Sequence, residues 1–361
     1  MSVKLIVTGG FLGAGKTTLL LKASQLLIKR GKKVGLITND QAPELVDSVL
    51  LSNNKLEVAE VSGSCFCCNF NGLINAVQKY NAAKNIDYII AEPVGSCTDL
   101  SATIMQPLKQ FHEKTEIAPL SILADPVRLS SILEGENAGL HKDAAYIYKK
   151  QLEESDIIVI TKSDSISAAC LENLIEKTKQ TYPLSTVMTL SAVTDDGIDK
   201  WLDEVIRRND AGNKLIDIDY DVYAHGEAVL GWLNGTVALN GEKTDWDIFI
   251  TSFMKDFCAC LEKENLPTGH VKAILENEEK AVIVNFTGGV STVTVRGTAG
   301  SSEKCKLTIN ARVETSPENL NSLLRAIFNT HSEGFISTEI AWKYLQPGYP
   351  TPTYRFDKVV E

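Results

Sequence analysis

The octet Gly10-Phe11-Leu12-Gly13-Ala14-Gly15-Lys16-Thr17 constrains this chain more than any other stretch. It matches G-x-x-x-x-G-K-[ST], which forms a phosphate cradle only where a strand ends and a helix begins. Both flanks agree: an apolar run of residues 3–7 precedes it, and residues 17–29 carry apolar positions at helical spacing. Gly10, Gly13 and Gly15 let the backbone curl so that successive N–H groups point inward, and the helix N-terminus adds partial positive charge. Lys16 is then expected to reach the β and γ phosphates of a nucleotide, and the Thr17 hydroxyl to meet Mg²⁺. A glycine-rich turn with a chance Lys-Thr is the plain alternative, and the agreement of strand, motif and helix argues against it.

The pattern around the octet extends the same architecture. Short apolar runs at residues 4–8, 33–38, 55–61, 87–91, 119–124, 156–161 and 186–190 alternate with helical patterns that include 17–29, 73–83, 168–182 and 198–207. That alternation predicts an α/β fold with a mainly parallel, doubly wound sheet, its strands covered on both faces. The polar stretch 209–213 follows the last helix and places a domain boundary there, giving a nucleotide-binding domain over 1–210. A smaller α+β domain is expected over 215–346, with strands at 222–239, 281–286 and 305–313 and amphipathic helices at 246–263 and 317–330. The tail, 347–361, is Pro-rich at its start and expected to be irregular.

Base recognition is read further along. Thr161-Lys162-Ser163-Asp164 ends a strand as T-K-x-D, close to the N-K-x-D of GTPases. There an Asp carboxylate accepts two hydrogen bonds from guanine and the Lys stem packs along the base. Ser191-Ala192 follows the next strand, where GTPases carry a loop that touches the guanine oxygen. Glu92 and Gly95, in Glu92-Pro93-Val94-Gly95, end the strand beside the cradle. There a carboxylate can hold Mg²⁺ through water and an N–H can meet the γ-phosphate. Asp40 is similarly placed, so Lys16, Glu92 and Asp40 are the candidate catalytic groups, although either acid could serve only as a helix cap.

Cys65-Phe66-Cys67-Cys68 lies just after the third strand. Three thiols within four positions can converge on one soft or borderline metal ion. They do not close a tetrahedron, and the fourth ligand could be water, a partner's group, or Cys97 in Gly95-Ser96-Cys97. Cys170, Cys258, Cys260 and Cys305 are expected to be packing residues. The five histidines, at 112, 141, 225, 270 and 331, are isolated in the sequence and read as surface or packing residues.

Taken in this order, the phosphate octet, the strand-end E-x-x-G, the C-x-C-C and the T-K-x-D resemble the CobW-type P-loop GTPases, kin of urease, hydrogenase and methylmalonyl-CoA mutase accessory GTPases. The resemblance covers about residues 3–205. It implies a GTP-hydrolysing metallochaperone with GTP in the cradle from Gly13 through Ala14 to Thr18, guanine at Lys162 and Asp164, Mg²⁺ at Thr17, and Zn²⁺ or Co²⁺ at Cys65, Cys67 and Cys68. It also implies a client metalloprotein or corrinoid-dependent protein as partner, and leaves a homodimer open. Ser64 and the Ser-Cys-Thr-Asp turn at 96–99 depart from the family pattern.

Composition narrows the partners. Forty-six acidic against 36 basic residues give a net charge of -10, which disfavours nucleic acid and anionic membranes. A start without a leader-like segment, free-thiol cysteine spacing and no long apolar run predict a cytoplasmic protein. A small-molecule kinase would have no use for T-K-x-D, whereas a non-enzymatic thiol switch on a nucleotide-binding scaffold would use the cysteines without metal. No arginine finger is evident, so turnover without a partner is expected to be slow.

Overall fold

Buried strands and amphipathic helices alternate from Val3 to Arg207 in a computed structural model of the chain. The structure describes residues 3–40, 56–82, 86–111, 115–277, 280–288 and 293–360, and of Asp40 only the backbone. Lys55 and His112 lie outside these described residues.

The first sheet has eight strands: β1 (Val3–Gly10), β2 (Val34–Asp40), β3 (Val58–Ser62), β4 (Tyr88–Glu92), β5 (Thr115–Ile117), β6 (Ser121–Ala124), β7 (Ile157–Ile160) and β8 (Thr186–Thr189). Their order is β3-β2-β4-β1-β6-β7-β8 with β5 beside β1, and these pairings are parallel. The helices are α1 (Lys16–Lys29), α2 (Phe70–Ala82), α3 (Gln106–Phe111, entered through a π turn at Ser101–Met105), α4 (Pro126–Leu133), α5 (Lys142–Glu154), α6 (Ala168–Thr181) and α7 (Ile198–Arg207). Two cores result. Ile6 and Leu36 pack with Leu19, Leu20 and Trp201 on one face, while Leu5, Val7 and Ile37 pack with Leu73 and Tyr148 on the other. A strand buried on both faces must be apolar at every position, which is why these strands read as continuous runs.

The second sheet is antiparallel, in the order β12-β11-β10-β13-β9-β14. Its strands are β9 (Gly231–Asp245), β10 (Thr268–Glu276), β11 (Ala281–Phe286), β12 (Thr294–Thr298), β13 (Ser301–Val313) and β14 (Ile336–Leu345). Helices α9 (Trp246–Lys263) and α10 (Pro317–His331) cover one face. On α9, Trp246, Phe249, Ile250, Phe253, Met254 and Phe257 recur at helical spacing and are all buried. Each contributes about 1.5–3 kcal/mol by leaving water. Asp245 caps this helix by accepting from the backbone of Asp247 and Ile248, and Ser316 caps α10 ahead of Pro317.

Two expectations are corrected, and some strands go beyond those expected. The strand expected over 222–239 is instead the helix α8 (Tyr220–Ala228) followed by β9. Asp219 caps α8, and its buried Tyr223 joins the core of the first sheet, so burial on that side decides the conformation. Strands β5, β10, β12 and β14 go beyond the expected set; β5 spans only three residues, and β14 is a largely exposed edge strand. Cys170, expected to pack, sits exposed on the outer side of α6.

No helix among the described residues is long and apolar enough to cross a membrane.

Candidate functional site

At the end of β1 the backbone turns sharply against β6. A Cβ at Gly10 would stand 2.4 Å from the Leu123 carbonyl oxygen, at φ +130°, so only glycine fits. Gly13 and Gly15 also adopt positive φ, and Lys16 then opens α1. Its ammonium lies across the loop, donating to the Gly10 carbonyl at 2.8 Å. Thr17 donates to Glu92 Oε1 at 3.2 Å. Gly95 approaches so closely that a Cβ there would meet Leu12 at 2.7 Å and the Lys16 ammonium at 3.1 Å. Lys16, Thr17, Glu92 and Gly95 thus surround one loop, with Ala14 buried in it and Thr18 on its rim. Two hard oxygen donors this close suit a small divalent cation such as Mg²⁺. Asp40 ends β2 opposite Ser62, and its side chain lies outside the described residues.

The other end of the same cleft, whose volume is about 1040 Å³, holds Thr161, Lys162, Asp164 and Ala192. The Thr161 hydroxyl donates to the Ala14 carbonyl at 2.8 Å, so this residue braces the phosphate loop from behind. Lys162 takes a left-handed backbone conformation and pairs with Asp125 at 2.7 Å. Burial pushes the Asp125 carboxyl up, but the Lys162 charge and hydrogen bond hold it below its ordinary value. Asp164 is exposed on a single turn after β7. Ser191 shapes the neighbouring loop by accepting from the backbone of Val193 and Thr194 at 3.2 and 3.1 Å.

Behind the phosphate loop, the turn after β3 gathers its thiols. Cys65 and Cys67 Sγ atoms are 2.9 Å apart, Cys67 and Cys68 3.8 Å, and all three fall within 4.8 Å of one another. Tetrahedral thiolates on Zn²⁺ stand about 3.8 Å apart, given Zn–S bonds of about 2.3 Å. The spacing therefore suits a metal after a small adjustment of Cys65. Cys97 is buried against the same group and hydrogen-bonds to Cys65 and Cys67. Hydrogen bonds from Cys67, Cys68 and Cys97 hold Cys65 well below the ordinary thiol value, whereas Cys67 and Cys97 are pushed up and Cys68 rises to about 11. Four sulfurs gathered this closely form a preformed soft-ligand set.

Three features that spacing did not signal support this turn. Asn39, beside Asp40, donates to the Val61 and Ser64 carbonyls, both at 2.8 Å, and accepts from Phe66 N–H at 2.8 Å. The same residue lines the cleft beside the cradle. From α8, Glu227 reaches in and accepts from Ser96 Oγ at 2.5 Å. Burial, then the Cys65 charge, pushes its carboxyl up to about 8. The irregular tail crosses the outside: Thr353 N–H donates to Cys67 O at 2.8 Å, Thr351 N–H to Cys68 Sγ at 3.3 Å, and Arg355 pairs with Asp99 at 2.7 Å.

The fold also joins two histidines that are far apart in the sequence. His225 Nδ1 lies 2.5 Å from Asp143, and the His141 ring is 5.3 Å from that of His225.

Sequence reasoning missed two cations around the cleft. Arg128, fully packed at the start of α4, donates to Leu12 O at 2.9 Å and to the carbonyls of Thr268, Gly269 and Thr287 at 3.2, 3.0 and 2.7 Å. Lys272 on β10 stands 3.4 Å from Thr17 Oγ1. The alternation of residues 268–276 could have placed Lys272 on a polar face, but nothing local could have told what that face meets.

The profile of the CobW/HypB/UreG nucleotide-binding domain matches residues 4–189. The chain is 35% identical over 194 residues to zinc-regulated GTPase metalloprotein activator 1 of Dictyostelium discoideum, covering 45% of this chain and 40% of that protein. It is 26% identical over 190 residues to the zinc chaperone YjiA of Escherichia coli (strain K12), covering 50% and 55% respectively. The chain therefore spans about half the length of the curated relatives it matches. Among solved structures, HypB from Helicobacter pylori in complex with nickel aligns over 60% of this chain and 92% of that one, at 14% identity and a TM-score of 0.42.

Proposed function

The chain belongs to the CobW/HypB/UreG family through its nucleotide-binding domain, and from that premise we propose that it is a GTP-hydrolysing metallochaperone. It loads Zn²⁺ or Co²⁺ as cargo on Cys65, Cys67 and Cys68, with Cys97 as the fourth ligand, and passes the ion to a client metalloprotein or corrinoid-dependent protein. The relatives named as zinc chaperones favour Zn²⁺ as that cargo.

In this reading the glycines of the loop present N–H groups to the phosphates and Lys16 leaves the Gly10 carbonyl to neutralise them. Thr17 and Glu92 would hold Mg²⁺, which supplies charge stabilisation at the β and γ phosphates. Gly95 N–H meets the γ-phosphate, while Asp164 accepts from guanine and Lys162 lies along the base. Thr161 and Ser191 keep the two loops in place.

The observation that carries the proposal is Asn39. Its carboxamide makes three hydrogen bonds that fasten the end of β3 and the thiol turn, while its backbone lies in the last residues of β2, and the residue lines the cleft. A second path runs along the turn from Glu92 to Cys97, where Cys97 N–H donates to Val94 O at 2.9 Å. Movement on either path shifts sulfur positions, so nucleotide state and metal affinity are linked, and linkage acts equally in both directions.

Zn²⁺ competition titrations of the full chain in GTP and in GDP test this directly. Affinities that differ by about 5- to 150-fold are expected, the usual span of coupling between sites. Replacing Cys65, Cys67 and Cys68 together by Ser removes tight Zn²⁺ binding and leaves GTP affinity within about twofold, because thiolates select the metal and do not touch the nucleotide. Superimposable titrations in the two nucleotides would defeat the metallochaperone reading.

A further inference from the structure

The antiparallel sheet has two unlike faces. One carries Val271, Ala273 and Leu275 of β10 and packs against α9 and α10. The other, in register across five strands, carries Thr294, Asn285, Lys272, Asn310 and Asn234. A polar row in the middle of a sheet is costly to bury. Yet Lys272, Asn310 and Asn234 are only 9%, 8% and 3% exposed, because this face is turned toward the phosphate cradle and forms the far wall of its cleft.

The approach is close and braced. Lys272 Nζ lies 3.4 Å from Thr17 Oγ1, and Arg296 Nη1 at the rim lies 3.4 Å from Thr18 Oγ1. Arg128 ties Leu12 of the cradle to three carbonyls at the edge of the second sheet. Gly13 faces Thr287 so tightly that a Cβ would stand 2.5 Å from its methyl. By contrast, Arg312 on the same face is committed within its own sheet, bonded to Leu233 O and Asn234 Oδ1 and stacked 4.2 Å from the Trp232 ring.

We infer that the polar face of the antiparallel sheet is a second phosphate-binding surface, in which Lys272, assisted by Arg296, contacts the terminal phosphate of a nucleoside triphosphate held in the cradle of the same chain. The inference rests on the nucleotide reading of the cleft. It supplies from within the chain a further cation facing the cradle, beside Lys16. The contact would discriminate triphosphate from diphosphate, because a diphosphate lacks the terminal phosphate that Lys272 meets.

The test is a pair of fluorescence titrations on the full chain, with a non-hydrolysable GTP analogue and with GDP. Lys272→Met should cut the preference for triphosphate by about tenfold, the measure of one charge-assisted hydrogen bond, while GDP affinity stays within about twofold. Lys272→Arg, which keeps the charge, should recover most of it. A merely structural lysine would change both affinities together. Because Arg296 is exposed, Arg296→Glu carries the test even if Lys272→Met does not fold, with an expected loss of about threefold or more. Unchanged triphosphate-to-diphosphate ratios in these variants would overturn the inference alone. A wild-type chain that binds neither nucleotide would overturn the reading of the cleft as well.

Discussion

The two sheets offer ligands different parts of themselves. The parallel sheet, apolar on both faces, has only its carboxyl edge to give, and there Gly10 and Glu92 end their strands while Asn39 and Thr161 lie beside the ends of β2 and β7. The antiparallel sheet hides one face under α9 and α10 and gives the other, so Lys272 projects from mid-strand. An edge site is built from turns, whose geometry is set by local residues. A face site is built from alternation, and its meaning depends on what lies opposite. That contrast explains why the edge residues stand out in the sequence and the face residues do not.

Striking the edge should have the largest effect. Gly10→Ala forces a Cβ against the Leu123 carbonyl at a φ that side chains avoid. Left-handed strain and the overlap together should cost about 4 kcal/mol, lowering Tm by about 10 °C and abolishing nucleotide binding. Near-wild-type melting and GTP affinity in that variant would mean the turn is not as tight as described.

The joint between the sheets comes next. Arg128→Met keeps the volume but withdraws four hydrogen bonds from carbonyls of the cradle and the second sheet. A loss of about 3 kcal/mol is expected, and calorimetry should resolve two transitions where the wild type has one. A single transition at the wild-type temperature would show that the faces hold together without the guanidinium.

The smallest effect lies inside the first domain. Glu154 is fully buried, accepts from Thr98 Oγ1 and Ser101 N–H, and has its carboxyl pushed up to about 8 by burial. The native state therefore keeps this proton over a range in which the unfolded chain releases it. Stability from this group is greatest below the unfolded value and declines as pH rises toward 8. Glu154→Gln should flatten that decline, raising Tm at pH 8 relative to pH 6 by about 2–4 °C against the wild type. An identical pH profile would place the carboxyl in its ionised form throughout.

How much was readable follows the same line. The helices Ile198–Arg207 and Trp246–Lys263 stand where periodicity put them, since a stripe at 3.6-residue spacing is local information. Residues 220–228 misled because their apolar positions also alternate, and only packing against the first domain selects the helix. Within the thiol group, C-x-C-C was visible. Ser96 meeting Glu227 and Cys67 meeting Thr353 were not, for these contacts join segments more than a hundred residues apart and leave no local trace.

Arg128 has one more consequence, which concerns how such a chain can be taken apart. Its side chain is rooted in the parallel domain, but three of the four carbonyls it serves belong to the antiparallel one. Grafting the first domain onto a different module would strand a desolvated guanidinium at the new seam. Recombination at this junction therefore succeeds only when position 128 changes with the partner module. The two halves are expected to transfer as one piece, even though each has a sheet and a core of its own.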